Sequence, residues 1–320
     1  MDPRIRPAEA RRRPRVVSLG DLVVDIVVTA SGPLARGSDR AGTVVFREGG
    51  SAANTARWVA RCGGEAVFIG AVGRDEWADR LGAVLAEAGV EAHLVTRNAP
   101  TARIVVLVEA DGERSFVTDR GAADLLAPDD LRRGWFRGRA RVRWRQPSAL
   151  HLPGYSLYAE PLAATSRRAV ELARASGALV SVDLASRQPI LDLGPDEAWS
   201  RIAAVAPELL FGNIAEVEAI LDGRDHAALL DLAPLVVVKD GARGATILHR
   251  DGVIEVPTTA VAAGDTTGAG DAFAAGFLVR WLADWPDTRR DGPAMTAAAR
   301  SGHRAARGLL RGTPRRDRWR

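Results

Sequence analysis

A glycine-rich turn that runs directly into an apolar helix is the feature that most limits how this chain can fold. The segment reads Asp265-Thr-Thr-Gly-Ala-Gly-Asp-Ala-Phe-Ala-Ala-Gly-Phe-Leu278. Gly268 and Gly270 lack a Cβ, so a bound anion can approach their backbone closely. The unpaired N–H groups and the dipole of a helix N-terminus favour an anion at the same place. The segment therefore predicts an anion site at the start of a helix.

The helix that follows is predicted to be enclosed by protein. Phe273, Phe277 and Trp281 recur every four residues, and Arg280 is the only charged residue in the range 272–283. This pattern is typical of a buried helix, which would hold the preceding turn rigid. A helix start at which Gly, Thr and Asp act only as caps is the simpler alternative, and the short Gly-Ala-Gly-Asp string alone leaves it open.

Asp271 stands beside this predicted anion site, where a carboxylate would repel the anion unless it had a second purpose. Removing the proton from a hydroxyl that attacks a phosphoryl group is such a purpose. Because a helix N-terminus favours the charged carboxylate, the sequence predicts a pKa for Asp271 below the ordinary value of about 3.9. In a loose transition state the proton can leave late, so the orientation of the carboxylate would matter more than its basicity.

Size and cysteine content narrow the class of protein. The chain of 320 residues can form one large α/β domain or two smaller ones, and Cys62 is its only cysteine. An internal disulfide is therefore impossible, which favours the cytoplasm. The N-terminal segment lacks the apolar stretch of a signal peptide, and no apolar segment is long enough to span a bilayer. We expect a soluble, cytoplasmic protein without a membrane partner.

Arginine provides nearly all of the positive charge, since Lys239 is the only lysine and the net charge is +4. Most of the excess lies in residues 4–15, 132–145 and 311–320. We expect residues 1–14 and 312–320 to be disordered basic tails. The middle run, an insertion at about 132–147, interleaves aromatic residues with arginine as some nucleic-acid binders do. A solvated surface loop is the simpler interpretation, so nucleic acid is not expected as a partner.

Strand and helix patterns alternate along most of the chain. Apolar strands are predicted at residues 15–19, 66–72, 179–183, 209–211 and 235–239, with helical patterns such as 51–61 between them. This order is typical of an α/β fold with a central, mostly parallel sheet covered by helices on both faces. Strands at about 22–47 and 102–119 fall outside the alternation, and Asp111-Gly112 predicts a hairpin turn in the second pair. They predict a small β layer that covers the site.

Two motifs together resemble the ribokinase-like carbohydrate kinases, the phosphofructokinase B family. The first runs from Gly49-Gly-Ser-Ala-Ala-Asn54 to Gly70-Ala-Val-Gly-Arg-Asp75, and the second is the Asp265–Leu278 segment. The resemblance covers residues 15–311 and implies one parallel α/β kinase domain with a small β lid. It also implies an enzyme that uses ATP and Mg²⁺ to phosphorylate a hydroxyl group of a small sugar. Relatives often form homodimers through the lid.

The resemblance implies a role for each residue of the second motif. Asp271 would be the catalytic base that deprotonates the substrate hydroxyl as it attacks the γ-phosphate of ATP. Gly268, Ala269 and Gly270 would offer backbone N–H groups to the transferring phosphate as an anion hole. No Gly-x-x-x-x-Gly-Lys-Ser/Thr motif is present, so phosphate binding would not follow the P-loop pattern.

Sugar binding would depend on the first motif and on a preceding strand. The resemblance implies that Asp25, Gly49, Gly50 and Asn54 contact the sugar. Asp25 can accept two hydroxyl groups, and Asn54 offers both a donor and an acceptor. Taken alone, Asn54 could be only a polar residue in the first turn of a helix. Asp25 lies in an apolar strand, where a carboxylate without a partner would be costly.

Nucleotide binding would involve two further segments. Asn213-Ile-Ala-Glu216 resembles the family's Asn-x-x-Glu, which implies that Asn213 and Glu216 organise Mg²⁺ and phosphate, Glu216 through water. An N-cap with an acidic first turn is the alternative. The loop of Lys239, Gly241 and Gly244 resembles the family's ATP-binding loop, although an ordinary hairpin turn would have the same pattern.

Some positions leave the cofactors and the substrate open. Asp265 and Thr267 match residues that bind a monovalent cation in some relatives, which implies a possible K⁺ site. The family often has Asp-x-Asn-x-Arg after a central strand, whereas this chain has Asp183-Leu-Ala-Ser-Arg187, with Ala185 in the place of Asn. A nucleoside kinase or a 2-keto-3-deoxy sugar-acid kinase remains an alternative, as does a non-catalytic regulator that binds sugar or nucleotide. The intact Asp271 argues against the regulator.

Overall fold

A computed structural model describes residues 13–34, 36–108, 114–137, 147–262, 265–285 and 291–312. Across these ranges, strands and α-helices alternate along most of the chain. The strands are β1 (Arg15–Leu19), β2 (Val23–Ala30), β3 (Gly42–Gly49), β4 (Glu65–Val72), β5 (Glu91–Thr96), β6 (Ala102–Val108), β7 (Arg114–Asp119), β8 (Ser148–Pro153), β9 (Leu179–Asp183), β10 (Leu209–Asn213), β11 (Leu235–Asp240), β12 (Gly244–His249) and β13 (Gly252–Pro257). The α-helices are α1 (Ser51–Arg61), α2 (Glu76–Glu87), α3 (Tyr155–Tyr158), α4 (Leu162–Ala175), α5 (Arg187–Leu193), α6 (Pro195–Val205), α7 (Ile214–Leu221), α8 (Leu229–Leu232), α9 (Ala269–Ala283) and α10 (Gly292–Leu310).

The larger sheet is mostly parallel, as the strand and helix alternation predicts. Its order is β13-β12-β11-β10-β9-β8-β1-β4-β5, and every pairing is parallel except β11–β12 and β12–β13. Alternate residues of the inner strands enter two separate cores. In β11, Val236 and Val238 pack on one face of the sheet, and Leu235 and Val237 pack on the other. Burial on both faces explains why such strands read as continuous apolar runs.

A second, four-stranded sheet forms the lid, in the order β3-β2-β6-β7. Its strands occupy the two segments that fall outside the alternation, so the predicted fold class is confirmed. Strand β2 pairs antiparallel with β3 and parallel with β6, and β7 forms one edge. Asp111-Gly112, the predicted hairpin turn, lies outside the described residues. In the described part of the chain, no helix is long and apolar enough to cross a membrane.

The start of the arginine-rich run packs against the domain instead of forming a solvated loop. Residues Arg133–Phe136 form a short 3₁₀ turn in which Phe136 is buried. Trp135 stacks on His93 with 4.5 Å between ring centroids, and its carbonyl accepts a hydrogen bond from the buried Arg15. The expectation of a solvated loop is wrong here, because the aromatic side chains cover apolar surface. Residues 138–146 and most of both basic tails lie outside the described ranges.

Three parallel strands end side by side at one edge of the larger sheet. Asp183 closes β9, Asn213 closes β10 and Lys239 lies near the end of β11, with Asn213 directly paired to Lys239. Ligands of open α/β sheets bind outside the carboxyl ends of such strands. Helices α1 and α9 lie against one another beside this sheet. The edge therefore collects polar side chains from distant parts of the sequence.

Candidate active site

The predicted turn and helix are formed as expected. Gly268 adopts φ +80°, a left-handed conformation that glycine allows, and serves as the N-cap of α9. The helix is enclosed as predicted, since Phe277 and Trp281 are at most 2% exposed. The N–H of Ala269 donates to the carbonyl of Thr266 at 3.1 Å. N–H groups of the first turn have no acceptor within their own helix, so Gly270 can present one to an anion.

The carboxylate of Asp271 contacts helix α1 on both of its oxygens. Ser51 Oγ donates to Oδ1 at 2.8 Å, and Asn54 Nδ2 donates to Oδ2 at 2.9 Å. Both donors lie in the first turn of α1, immediately after the Gly49-Gly50 pair. The two motifs of the sequence thus meet at a single carboxylate. Ser51 was not among the predicted site residues, because only its contact across the fold reveals its role.

The pKa of Asp271 is raised, which reverses the prediction made from the helix N-terminus. Burial is the largest cause, and together with the nearby charge of Asp183 it raises the pKa from 3.8 to about 6. Hydrogen bonds from Ser51 and Asn54 act in the opposite direction but do not outweigh burial. Part of the residue reaches the surface, yet the carboxylate itself lies among protein atoms. The expectation of a weakened base was wrong. It considered only the helix dipole, which lowers the pKa, and did not consider that burial removes water from the carboxylate and raises the pKa.

The predicted sugar residues lie where the lid joins α1. The carboxylate of Asp25 lies directly over Gly49, where a Cβ would overlap it. Gly50 adopts φ +99° and approaches the backbone carbonyl of Asp21 so closely that no Cβ fits. Gly50 is therefore required by a backbone contact, whereas a Cβ at Gly49 would displace the Asp25 carboxylate.

Asn54 has partners at both ends of its amide in this arrangement. Its Nδ2 donates to Asp271, and its Oδ1 accepts from Arg57 at 2.5 Å. Arg57 is held in turn by Glu48 at 2.6 Å. A sugar hydroxyl that reached Asn54 would therefore replace its hydrogen bond to Asp271 or to Arg57. The bond to Asp271 lies on the side of the predicted catalytic base.

Asn213 and Glu216 form a reciprocal capping box at the start of α7. Asn213 N and Nδ2 donate to the two carboxylate oxygens of Glu216 at 2.8 and 2.7 Å, and Glu216 N donates to Asn213 Oδ1 at 3.0 Å. This geometry matches the capping alternative raised by the sequence. Burial raises the pKa of Glu216, although Lys239 opposes the change. A buried carboxylate beside the sheet edge can also face a cation, so capping does not exclude the nucleotide role.

Lys239 forms an ion pair with Asp183 under the start of α9. Its Nζ lies 2.7 and 3.0 Å from the two oxygens of Asp183, which is 2% exposed. Burial alone would lower the pKa of Lys239, but the carboxylates of Asp183 and Glu216 outweigh it and raise the pKa. A Cβ on Gly270 would come within 3.2 Å of this ammonium group. The only lysine of the chain therefore places a positive charge against the predicted anion hole.

Gly241 and Gly244 lie in the turn between β11 and β12. Residues Gly241–Arg243 form a 3₁₀ turn, and the two strands pair antiparallel, as in an ordinary hairpin. Gly244 adopts φ +122° with no room for a Cβ beside the carbonyl of Val256. The turn lies at the same sheet edge as Lys239, so it is placed to border a nucleotide bound there.

Asp265 and Thr267 are joined by a hydrogen bond that uses the N–H of Thr267 and none of its oxygens, which are what a cation would need. Thr267 contributes its N–H, which donates to Asp265 Oδ1 at 2.9 Å. The other oxygen of Asp265 accepts from Arg47 of the lid, also at 2.9 Å. Across the described ranges, no group of three or more His, Cys, Asp or Glu residues could hold a metal ion. A cation at Asp265 would compete with Arg47 for the same carboxylate.

Arg120 is a polar residue of the site that the sequence did not single out. It follows β7, pairs with Asp124 at 2.6 Å and lies 3.7 Å from the buried Asp21. Its guanidinium stacks over the ring of Tyr155 at 5.3 Å. One nitrogen, Nη2, is buried and has no hydrogen-bond partner among the residues described. A donor in this state beside the lid is available to a substrate oxygen.

Ala185 occupies a backbone conformation that disfavours alanine. Its φ is +65°, in the left-handed region, and its N–H donates to Asp183 Oδ1 at 3.1 Å. Asparagine tolerates this conformation better than alanine. The Asp-x-Asn-x-Arg pattern that the resemblance often implies has Asn here, so Ala185 accepts backbone strain where Asn would be tolerated.

Comparisons with known proteins agree with this geometry. The sequence profile of the pfkB family carbohydrate kinases matches residues 13–310. Fructokinase-2 from Zea mays is 34% identical over 281 residues, which cover 84% of this chain and 80% of that protein. Fructokinase-1 from Oryza sativa subsp. japonica is 34% identical over 294 residues, covering 88% and 87%. The crystal structure of fructokinase with bound ATP from Xylella fastidiosa has a TM-score of 0.79 at 25% identity, covering 93% of this chain and 92% of that one.

The resemblance stated from the two motifs is confirmed, and the nucleoside-kinase, sugar-acid-kinase and regulator alternatives are not favoured. The chain belongs to the pfkB family of carbohydrate kinases and is an ATP-dependent phosphotransferase with an alcohol group of a small sugar as acceptor.

Proposed function

We propose that this kinase phosphorylates a hydroxymethyl group of a small sugar, with D-fructose as the first candidate, and that Asp271 is its catalytic base. The observation that carries the proposal is the meeting of Ser51, Asn54 and the N-terminus of α9 at the Asp271 carboxylate. Fructose is the first candidate because relatives with 34% identity are fructokinases.

The proposed reaction is a direct transfer between two oxygens. Asp271 takes the proton of the sugar hydroxyl, the hydroxyl oxygen forms a bond to the γ-phosphorus, and the bond from that phosphorus to the bridging oxygen of ADP breaks. A pKa of about 6 leaves Asp271 mostly ionised near neutral pH while keeping it a better base than a free aspartate. The sugar lies against Asp25, Gly49, Gly50 and Asn54.

Stabilisation of the transferred group is proposed to come from the start of α9. The N–H groups of Gly268 and Gly270 would face the phosphate, and that of Ala269 would join them on leaving the Thr266 carbonyl. Lys239, which lies beside Gly270, would add a positive charge. Gly241 and Gly244 would border the rest of the nucleotide. These groups supply fixed dipoles and charge, which is most of what phosphoryl transfer requires of a protein.

Mg²⁺ is proposed as the metal that enters with ATP. The buried carboxylate of Glu216, with Asn213 beside it, fits a water-mediated contact to a hard cation, which ATP phosphates would hold for the most part. When bound, Mg²⁺ neutralises charge on the phosphates. A monovalent cation, K⁺ in particular, is proposed at Asp265 and Thr267 only if Arg47 leaves that carboxylate.

The protein is proposed to work in the cytoplasm as a homodimer, without nucleic acid or membrane as a partner. Phe116 and Val117 on the edge strand β7 are 57% and 64% exposed, which leaves apolar lid surface for a second copy to cover. Sedimentation of the purified chain tests the dimer directly.

A substrate panel tests the proposed function. The protein is incubated with ATP and Mg²⁺ beside D-fructose, D-ribose, D-glucose, a 2-keto-3-deoxy sugar acid and adenosine, and ADP formation is measured. We expect the highest kcat/KM with fructose. A higher value with adenosine or the sugar acid would refute the proposed substrate class.

A further inference from the structure

Arg47 connects the lid to the loop that leads into the anion hole. It lies on lid strand β3, and its Nη1 is 2.9 Å from Oδ2 of Asp265, a residue 218 positions away in the sequence. The side chain of Arg47 is 20% exposed and that of Asp265 is 43% exposed. This ion pair joins two segments that otherwise belong to separate parts of the site.

On the lid, Arg47 is the direct neighbour of the proposed sugar ligand. Asp25 in β2 pairs with Arg47 in β3, so their side chains leave the same face of the lid sheet. Two residues further along β3, Gly49 contacts the Asp25 carboxylate. A sugar that fixes Asp25 would therefore also fix the strand that carries Arg47.

On the other side of the ion pair, Asp265 organises the turn of residues 265–268 that leads into the anion hole. Its Oδ1 accepts the N–H of Thr267, and the next residue, Gly268, is the left-handed N-cap of α9. The position of Asp265 thus influences the turn from which the anion-hole N–H groups project. A displaced anion hole is costly, because donors for a transferring group act only within hydrogen-bond distance.

We propose that Arg47 is a positioning residue that couples sugar binding on the lid to the geometry of the anion hole. The inference rests on the proposed roles of Asp25 and of the α9 N-terminus. It assigns to Arg47 no contact with the reacting atoms. Coupling of this kind is reciprocal, so bound sugar should tighten ATP binding by the same factor by which ATP tightens sugar binding.

Replacement of Arg47 by methionine tests the coupling, with Arg103→Met as the matched control. Arg103 lies on lid strand β6 and pairs with Asp119 at the same 2.9 Å distance, but that pair stays within the lid. Binding of a non-hydrolysable ATP analogue is measured by calorimetry with and without saturating fructose. Steady-state kinetics and urea unfolding are recorded for each variant.

In the wild-type protein and in Arg103→Met, we expect fructose to lower the dissociation constant of the ATP analogue by about fivefold, the low end of typical allosteric coupling. In Arg47→Met this factor should approach one, with kcat also lowered and the urea midpoint unchanged. Arg47→Lys should recover part of the coupling. In an Asp265→Asn background, which keeps the acceptor for Thr267, Arg47→Met should have no further effect.

Two results would overturn the inference. One is an Arg47→Met variant that keeps the wild-type coupling factor, and the other is an Arg103→Met variant that loses it equally. Absence of fructose phosphorylation by the wild-type protein would instead contradict the proposed substrate, in which case the same coupling is measured with the sugar that the panel identifies.

Discussion

Removal of the charge at position 271 should make the ligand-free protein more stable at high pH. Burial raises the pKa of Asp271 from 3.8 in the unfolded chain to about 6 in the folded protein. Between these values the folded protein binds a proton that the unfolded chain releases, so stability falls as the pH rises. The shift of about two pKa units corresponds to ~3 kcal/mol above pH ~6. Asp271→Asn removes this cost and keeps a side chain of the same shape.

Urea unfolding of the wild-type protein and of Asp271→Asn measures the free energy of unfolding at several values between pH 4.5 and pH 8, without nucleotide or sugar. We expect the variant to gain up to ~3 kcal/mol over the wild type at pH 8, and the gain to shrink as the pH falls below about 6. Asp129→Asn, at an exposed surface position, is the control and should show no such trend.

A variant that is less stable than the wild type at pH 8 would contradict a net cost of burying the Asp271 charge. A gain that stays constant over the whole pH range would refute it as well, because a constant gain cannot come from the ionisation of Asp271. A less stable variant would mean that Ser51 and Asn54 stabilise the charged carboxylate more than burial disfavours it.

Three further changes test other parts of the site. Gly270→Ala brings a Cβ within 3.2 Å of Lys239 Nζ. Because this displaces an anion-hole donor, kcat should fall by about 10² in steady-state assays. An unchanged kcat would show that Gly270 is not part of the anion hole. Ala185→Asn should raise the unfolding free energy by about 1 kcal/mol, since Asn tolerates the left-handed conformation; a lower urea midpoint would contradict the strain at this position. Lys239→Met leaves Asp183 buried without its cation and should lower the free energy of unfolding by about 3–5 kcal/mol, measured by thermal unfolding. The double variant with Asp183→Asn should recover most of this stability. Equal losses of stability in both variants would argue against the ion pair between Lys239 and Asp183.

Local sequence signals predicted most of the fold. Helix α1 begins at Ser51 and ends at Arg61, as its pattern and its flanking glycines indicate. The lid strands were predicted from apolar runs that fall outside the strand and helix alternation. Such features depend on residues close together in the sequence, so one chain is enough to reveal them.

The contacts that shape the site depend on residues far apart, and the sequence could not reveal them. Lys239 and Asp183 lie on strands separated by β10, and their pairing becomes visible only from the strand order. The pKa of Asp271 was predicted in the wrong direction, because the helix start is a local feature and burial is a property of the whole fold. The aromatic residues of Arg133–Phe136 were misplaced for the same reason.

The central claim is that Asp271 removes the proton of the acceptor hydroxyl, and single-turnover phosphoryl transfer by Asp271→Asn tests it most directly. Transfer from ATP to the sugar is followed with enzyme in excess, and the dissociation constants of both ligands are measured separately. We expect a transfer rate lowered by about 10²–10⁴, with sugar and ATP bound within a few-fold of the wild-type affinity. A transfer rate within tenfold of the wild type would contradict the claim and would assign the proton to another group.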